Sequence, residues 1–413
     1  MRVLILSQYY HPEPIPKPVE LAHALREVGD DVTVITGFPD YPSGVLYPGY
    51  RLSLFRREQI DGIRVFRTFE YPYHGTRAIG RFANYMSFML SAPLGALRGP
   101  PADVMYVWHP PLTVGVAAWM IARLRGVPFV YDVQDIWPEA AVLSGILKPG
   151  LVVRCLSWLE RFVYRRADHI LVVTEGARQN LISKGVAADK VTAVPHWFEP
   201  ALFDSEQTDR AQTRREFGWD GKFVAVFAGN LGLVQGLETI VRAAERLRED
   251  PRIRVAFVGD GADRARIVGL VASLKLEASV QFVERQPMER MPAIMAAADA
   301  LLVHLKWSEL SNYVIPTKTL AYLASGKPIV MAMHGAAADL VRDAKCGCLV
   351  SPEDPAALAE GIRKLAAAPV AERERMGLAG RDYLRQHLAR NVVVPRYRAI
   401  LQRVAHSHLK CEL

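Results

Sequence analysis

The sequence has few cysteines and no long apolar run. Its four cysteines (Cys155, Cys346, Cys348 and Cys411) are too scattered for a disulfide framework, and no nearby His or Cys completes a zinc site around the closest two. We therefore expect free thiols in a reducing cytosol. No window reaches the roughly 18 apolar residues that span a bilayer, and the first residues lack a signal-peptide pattern. These absences argue against disulfide-rich and membrane-spanning proteins and predict a cytoplasmic location.

Hydrophobic residues and positive charge are abundant. Half of the 413 residues are hydrophobic, which is enough for two domains with sizeable cores. The net charge of +8 favours anionic partners, and residues 51–81 alone carry seven arginines against three acids. These arginines are not interleaved with aromatic residues as a stacking platform, and no nucleic-acid-binding motif is present, so we do not expect a nucleic acid as partner.

Short apolar runs alternate with helix-length amphipathic segments along most of the chain. This pattern is typical of doubly wound α/β domains, whose parallel strands are covered by helices on both faces. Thirteen runs are predicted to be strands: 1–7, 31–37, 63–69, 103–109, 128–134, 169–175, 190–196, 222–230, 253–261, 280–284, 300–305, 328–333 and 347–351. The polar stretch 199–222 interrupts the rhythm and predicts a linker. With two such domains, the crevice between them is the expected active site.

Two loops of the first half are rich in proline or aromatic residues. The loop 8–22 holds four prolines within seven residues, with Glu13 and Lys17 near a predicted helix start. A helix N-terminus binds anions, and Lys17 adds positive charge. The loop 38–50, which includes Tyr41, is too long and too rich in tyrosine for a simple connector. Both are predicted to bind substrate, and packed surface loops are the alternative.

Two strands of the first half end in ionisable residues. His109 ends one strand, and Asp135 and Glu139 follow another, after Asp132. At the carboxyl end of a strand, acids can orient sugar hydroxyls or transfer protons. We assign His109, Asp135 and Glu139 as candidate catalytic residues, with His109 as a neutral donor to substrate. A structural histidine and a helix-capping role for Asp135 are the alternatives.

The segment 77–99 combines Arg77, Arg81 and Arg98 with an apolar stretch rich in Met and Phe. A core helix that covers the first sheet is the simpler interpretation. The alternative is an amphipathic segment at a membrane surface. The arginine-rich stretch upstream supports this alternative, because basic residues beside apolar ones attract anionic lipids.

Two glycine-containing turns follow strands of the second half. The segment 227–244 has the order strand, loop with Gly229, helix, and a second turn lies at Gly259. Glycines let the backbone approach a phosphate, and a helix N-terminus favours an anion. Neither turn has the Gly-x-Gly-x-x-Gly spacing of dinucleotide-binding folds. Two such turns in one domain predict a nucleotide.

The stretch 313–330 places a lysine between two hydroxyl residues at a predicted helix start. Pro316 suits helix entry, Thr317 is expected to cap the helix, and Lys318 and Thr319 lie on its first turn. Three donors at a helix N-terminus suit a diphosphate. An ordinary capped helix with a solvated lysine is the alternative.

With these motifs in this order, the sequence resembles the retaining, nucleotide-sugar-dependent glycosyltransferases of the GT-B class, in family 4. It is similar in particular to bacterial transferases that build lipid-linked surface polysaccharides, including the fucosamine type. The resemblance covers nearly the whole chain. It is carried by the segments SQYYHPE, TGFPDYPSG, VYDVQDIWPE, ADHILVVTEGARQNL, GNLGLVQGLETI, VGDGAD and IPTKTLAYLASGKPIV.

The resemblance implies two facing Rossmann-like domains with parallel sheets. Residues 1–203 would bind the acceptor, residues 204–385 the nucleotide sugar, and the terminal helix 386–413 would pack back on the first domain. The donor would be a UDP-sugar and the acceptor a polyprenyl-diphosphate-linked saccharide of O-antigen, capsule or exopolysaccharide synthesis. The protein would lie at the inner face of the cytoplasmic membrane. No metal and no cofactor is implied, because lysine, helix dipoles and backbone N–H groups neutralise the diphosphate.

Within this family pattern, Glu13, Lys17 and Tyr41 become acceptor-loop residues. The donor-binding residues become Gly229, Asn230, Gln235, Gly259, Arg285, Thr317, Lys318 and Thr319. Several positions depart from the pattern. Asn230 and Gln235 replace an Arg and a Lys that grip the diphosphate, Gln134 replaces a His, and Ala321 replaces an acid that binds the donor ribose. Glu309 is a candidate replacement for that acid.

Two other functions stay open from the sequence. One is a nucleotide-sugar epimerase or hydrolase of the same fold, which needs no acceptor. The other is a non-catalytic nucleotide-sugar-binding protein, because the missing acid and the missing basic pair are compatible with lost catalysis.

Overall fold

The computed structural model describes residues 1–75, 77–143, 147–203 and 210–412, without the side chains of Leu202 and of residues 409–412. The chain divides into two compact units, Met1–Pro195 with Val393–Leu413, and His196–Val392. In the described residues, no helix is both long and apolar enough to cross a membrane.

The first unit holds eight strands among its described residues. They are β1 (Arg2–Leu6), β2 (Asp31–Thr36), β3 (Phe55–Ile60), β4 (Ile63–Thr68), β5 (Val104–Trp108), β6 (Phe129–Val133), β7 (His169–Val172) and β8 (Val191–Ala193). Its helices are α1 (Pro16–Glu27), α2 (Ala78–Ala96), α3 (Thr113–Arg125), α4 (Glu139–Leu143), α5 (Leu151–Arg166) and α6 (Glu175–Ser183). The sheet order is β3-β4-β2-β1-β5-β6-β7-β8.

Strand β3 is the one strand here that the sequence analysis missed. It pairs antiparallel with β4, whereas all other strand pairs of this sheet are parallel. A two-residue Asp61-Gly62 turn connects them, with φ of 47° and 78°. This dipeptide is a strong hairpin signal, but the strand that precedes it is mostly charged, so no apolar run marks it.

The second unit holds six strands and a larger set of helices among its described residues. The strands are β9 (Phe223–Ala228), β10 (Ile253–Val258), β11 (Val280–Val283), β12 (Ala300–His304), β13 (Ile329–Ala332) and β14 (Gly347–Leu349). The helices are α7 (Arg210–Phe217), α8 (Leu237–Arg246), α9 (Arg264–Ser273), α10 (Met291–Ala297), α11 (Thr317–Ser325), α12 (Ala336–Asp343), α13 (Pro355–Ala367) and α14 (Val370–His387). A last helix, α15 (Arg390–Glu412), starts in this unit and continues into the residues of the first.

The second sheet is parallel throughout, in the order β11-β10-β9-β12-β13-β14. Its central strand β9 contributes Val224 and Val226 to the core on one face, and Ala225 and Phe227 to the core on the other. Burial on both faces explains why this strand is a continuous apolar run instead of an alternating one.

The described part of the predicted linker 199–222 is built into the second unit. Residues Arg210–Phe217 form α7, and Trp219 is fully buried. The Arg214 side chain donates to Trp219 O at 2.6 Å and pairs with Asp299 Oδ2 at 3.0 Å. The segment was predicted to be a linker because it is rich in charged residues, but one of these residues, Arg214, fixes it to the second unit. Residues 204–209 lie outside the described residues.

Candidate functional site

Each sheet contains a point where the strand order reverses, between β1 and β5 in the first unit and between β9 and β12 in the second. Doubly wound sheets bind ligands beside such a point, at the carboxyl ends of the strands. The predicted glycine turns and Lys318 lie at this edge of the second sheet. Glu13 follows β1, and His109 follows β5 at the same edge of the first sheet.

The two glycine turns of the second unit pack directly against each other. Gly229 and Gly259 have φ of 128° and 136°, which L-residues with a side chain rarely adopt. A Cβ atom on Gly259 would lie 2.1 Å from the carbonyl oxygen of Gly229. The Leu231 amide donates to Asp260 O at 2.9 Å and joins the turns. Bare backbone is therefore presented at this edge, as an approaching phosphate requires.

Lys318 lies beside these turns on the first turn of α11. Its Nζ atom is 3.7 Å from the centroid of the Phe227 ring and donates to Gln235 Oε1 at 2.9 Å. Burial lowers the pKa of Lys318 to about 7. Among the described residues no carboxylate pairs with this ammonium. The ammonium contacts only one ring face and one amide oxygen among the described residues, so it still has N–H groups that can donate to an anion. A bound anion would raise the pKa of Lys318.

Tyr322 holds this helix in place and is not among the site residues predicted from the sequence. Its buried hydroxyl accepts from the Ala228 amide at 2.8 Å and donates to the Ala228 carbonyl at 3.1 Å. Tyr322 is one helical turn after Lys318, so both side chains face the end of β9. The four-residue spacing of Lys318 and Tyr322 within a predicted helix is the sequence pattern from which this shared face could be predicted.

The two threonines beside Lys318 do not act as predicted for a cap. The N-cap of α11 is Pro316, and no side chain caps it, because Thr317 is already the first helical residue and is exposed. Thr319 is buried, and its hydroxyl oxygen has no hydrogen-bond partner within the described residues. Lys318 is therefore the one of the three whose contacts reach the glycine turns.

The remaining predicted donor residues are spread along the same edge. Asn230 is exposed, and its side chain lies close to Gly232 and Gly261. Arg285 is exposed just beyond β11. Glu309 is exposed as well, whereas Ala321 packs against the core of the unit.

His304 fixes the loop that carries Gln235. It is buried at the end of β12, where its Nδ1 atom lies 2.7 Å from Gln235 O and its Nε2 atom accepts from the Glu353 amide at 3.1 Å. Burial lowers the pKa of His304, which favours the neutral ring with the proton on Nδ1. His304 is not among the residues predicted from the sequence, because a histidine that ends an apolar strand has no local sequence pattern of its own.

In the first unit, Glu13 is turned inward. Its carboxylate accepts from the backbone amides of Tyr10, Asp40 and Tyr41 at 2.9, 3.1 and 2.9 Å, so it joins the two loops predicted to bind substrate. Burial raises the pKa of Glu13 to about 7. Lys17 forms an ion pair with Glu20 at 3.2 Å.

Tyr41 belongs to a group of three rings. Its ring centroid lies 5.0 Å from that of Tyr9 and 5.2 Å from that of His74, the latter edge to face. Tyr9 and Tyr41 come from the two loops that Glu13 joins, and His74 comes from the segment before α2. The loops are therefore fixed to each other at the carboxyl edge of the sheet.

His109 is buried at the end of β5. Its ring lies 5.7 Å from that of Tyr131, and its Nδ1 atom has no partner within the described residues. Burial lowers the pKa of His109 to about 3, so the ring is neutral at pH 7. The His109 amide donates to Asp132 O at 3.1 Å. Asp132 is buried too and accepts from the Tyr106 hydroxyl, and burial raises its pKa to about 7.

The structure does not bring the three predicted catalytic side chains together in one hydrogen-bonded set. Glu139 begins α4 and pairs with Lys184 Nζ at 2.7 Å, which also pairs with Glu160 at 2.9 Å. Asp135 is exposed on the loop between β6 and α4. His109 instead adjoins Asp132.

Two family models match this chain. The model for the glycosyl transferase 4-like domain matches residues 18–197, and the model for glycosyl transferases group 1 matches residues 209–383. The chain is a group 1 glycosyltransferase. The two models divide it near the boundary of the compact units, so the glycine turns and Lys318 fall in the group 1 part.

Curated relatives of this glycosyltransferase come from bacteria. It is 29% identical over 384 residues to WcaI of Escherichia coli (strain K12), described as a colanic acid biosynthesis glycosyl transferase, covering 89% of this chain and 93% of WcaI. It is 26% identical over 325 residues to WbjE of Pseudomonas aeruginosa, described as a glycosyltransferase, covering 77% and 78%.

Solved structures confirm that the glycosyltransferase has the GT-B fold. HepE of Anabaena, solved with UDP and glucose, superimposes with a TM-score of 0.72 at 19% identity, over 97% of this chain and 99% of HepE. WaaG, described as a glycosyltransferase involved in lipopolysaccharide biosynthesis, superimposes with a TM-score of 0.66 at 15% identity, over 97% and 99%.

Proposed function

We propose that the protein transfers a sugar, with retention, from a UDP-sugar to a polyprenyl-diphosphate-linked saccharide in bacterial surface-polysaccharide synthesis. The observation that carries the proposal is Lys318, which lies beside two close-packed glycine turns and has no carboxylate partner among the described residues. Support for the donor comes from HepE, whose structures contain UDP and UDP-glucose. Support for the pathway comes from the descriptions of WcaI and WaaG.

In this proposal the second unit binds the donor diphosphate. Lys318 and the first backbone amides of α11 neutralise its charge, and the backbone at Gly229 and Gly259 lies close to its oxygens. Asn230, Gln235, Arg285 and the two threonines complete the donor site, and no metal ion takes part at the diphosphate. The sugar–phosphate bond breaks and the bond to the acceptor oxygen forms on the same face, while the acceptor proton moves to the leaving phosphate oxygen.

The first unit would hold the acceptor. His109, neutral because it is buried, accepts or donates a hydrogen bond to the sugar without carrying charge. Asp135 is exposed and orients acceptor hydroxyls. Glu139 acts less directly, since its ion pair with Lys184 fixes the start of α4 behind this loop.

The same unit carries a surface suited to the acceptor's membrane. Helix α2 exposes four large apolar side chains, each more than half accessible, and two arginines flank them: Ile79, Phe82, Leu90, Leu94, Arg77 and Arg98. Apolar side chains beside basic ones attract anionic lipid surfaces. We therefore propose peripheral binding at the inner face of the cytoplasmic membrane through α2.

The test uses vesicles that contain a polyprenyl-diphosphate-linked monosaccharide and a panel of radiolabelled UDP-sugars. Transfer of label to the lipid from one donor is expected, and faster on vesicles with anionic lipid. Release or conversion of the sugar without lipid acceptor would instead indicate a hydrolase or an epimerase. UDP binding without turnover of any donor would indicate a non-catalytic binding protein, and either result would overturn the proposal.

A further inference from the structure

A buried group of ionisable side chains lies at the carboxyl edge of the first sheet, beside the acceptor-loop residues Glu13 and Tyr41. Asp40 follows β2, and Glu70 and His74 follow β4, its neighbour in the sheet. The two acids are 0% and 1% exposed, and the His74 side chain is 9% exposed. Acids are almost never fully buried unless they are paired with a positive charge.

The three side chains converge on one point. His74 Nε2 lies 2.9 Å from Asp40 Oδ1, and one ligand atom from each residue lies within 4.8 Å of the other two. Two atoms bound to one tetrahedral Zn²⁺ at about 2.0–2.1 Å would be about 3.3 Å apart. The 2.9 Å between His74 Nε2 and Asp40 Oδ1 is a hydrogen-bond distance, so these two atoms would have to move apart by about 0.4 Å to share a tetrahedral ion.

The hydrogen bonds around the group leave buried polar atoms without partners in the described part of the chain, beside two acids that lie close together. Gln8 and Asn84 each donate an amide N–H to Glu70 Oε1, at 2.5 and 2.8 Å, but burial and the nearby Asp40 carboxylate raise the pKa of Glu70 well above its usual range. Asp40 Oδ2 is buried and has no partner within the described residues, and the same holds for Gln8 Oε1. Two carboxylates this close repel each other strongly away from water.

We propose that Asp40, Glu70 and His74 bind one divalent transition-metal ion, for which Zn²⁺ best suits the ligand set. One imidazole and two carboxylates are ordinary zinc ligands, and three protein ligands leave a position open. A small cation suits the site because both carboxylates are buried. Gln8 and Asn84 orient Glu70 in the way that outer partners hold metal-binding carboxylates. The bound ion joins the loop 38–50 to the segment before α2.

Asp40 lies in the loop 38–50, which is predicted to bind substrate, but the test of this metal site measures metal binding and needs no sugar transfer. The site is tested with the full-length protein after removal of metals by a chelator. Zn²⁺ binding is measured by competition with a chromophoric chelator, and Co²⁺ serves as a spectroscopic probe. The expected result is one ion per chain, with a visible Co²⁺ band typical of low coordination number.

Three variants separate this site from surface binding. Asp40→Asn and His74→Ala are expected to weaken Zn²⁺ binding at least about tenfold, and His74→Ala to remove the Co²⁺ band. The matched control is Glu160→Gln, another buried carboxylate of the same unit, which should leave binding unchanged. Circular dichroism and melting curves verify that each variant is folded. Sub-stoichiometric binding by the wild type, or equal binding by all folded variants, would overturn the proposal and indicate an adventitious ion only.

Discussion

The loops at the carboxyl edges of the two sheets present different chemical groups. In the second unit the edge is bare backbone at Gly229 and Gly259, with the Lys318 ammonium beside it. In the first unit the edge holds buried carboxylates, such as Glu13 and Asp40, among aromatic rings. Backbone amides and an ammonium suit a phosphate, whereas carboxylates suit hydroxyls and cations. The difference supports placing the proposed donor site in the second unit.

The largest effect is expected from removing the positive charge of the second unit. Lys318→Ala should lower kcat/KM for transfer about 100-fold or more, because a charge preorganised for the leaving diphosphate is lost. Lys327→Ala is the matched control. It lies just beyond the other end of α11, is partly buried and has a pKa lowered to about 8. Kinetics with a saturating acceptor measure both variants, and equal losses would remove the special role of Lys318.

The bare backbone of the second unit can be tested by adding a single methyl group. In Gly259→Ala the new Cβ would meet Gly229 O at 2.1 Å in a backbone conformation with φ of 136°. We expect a loss of about 2 kcal/mol or more in the free energy of unfolding, with weaker UDP binding. Gly269→Ala, on an open face of α9, should instead gain about 0.5–1 kcal/mol. Urea unfolding measures both, and a neutral Gly259→Ala would mean that the turns do not need to touch.

Structural elements set by neighbouring residues could be predicted from the sequence, whereas contacts between residues far apart in the chain could not. Each of the thirteen predicted runs contains an observed strand, because strands buried on both faces are continuous apolar segments. Strand β3 was not predicted, because an edge strand that is mostly charged lacks this apolar pattern. The two glycine turns could also be predicted, because each glycine directly follows an apolar run in the sequence.

The contacts that hold the candidate site in place could not be predicted in this way. Tyr322 and Ala228 are 94 residues apart in sequence, and His304 and Gln235 are 69 apart. Only the folded sheet brings them together. The inward turn of Glu13 and the ion pair of Glu139 are of the same kind, because both depend on which distant partner is nearest in space.

The buried histidine of the first unit gives a stability test that depends on pH. Burial lowers the pKa of His109 to about 3, whereas the unfolded chain titrates near 6.5. Its neutral form therefore stabilises the fold above pH 6.5, and this contribution is lost as the pH falls below that value. Between pH 7 and 5 the loss is about 2 kcal/mol, because the slope approaches about 1.36 kcal/mol per pH unit only below the unfolded-state pKa.

His109→Asn should lose less stability than the wild type over the same pH interval. Comparing the two proteins cancels the contribution of other titrating groups, which is why the difference is measured instead of the wild-type curve alone. Denaturant unfolding at pH 7, 6 and 5 gives the numbers, and His109→Gln repeats the test if the first variant folds poorly. Parallel curves for wild type and variant would show that His109 is not buried as a neutral ring.

The smallest effect is expected at Glu139. Its replacement tests which acids of the first unit have a structural role and which take part in catalysis. Lys184 keeps Glu160 as a partner when Glu139 is replaced, and the Glu139 side chain is 40% exposed, so Glu139→Gln should lose less than about 1 kcal/mol of stability. Transfer should then stay near the wild-type rate, whereas Asp135→Asn, with no ion pair found among the described residues, should slow it. Single-turnover assays with confirmed folding compare the two. If Glu139→Gln abolished transfer in a stable protein, the ion pair with Lys184 would be a resting state of a catalytic acid, and the carboxylates of the first unit would serve chemistry as well as structure.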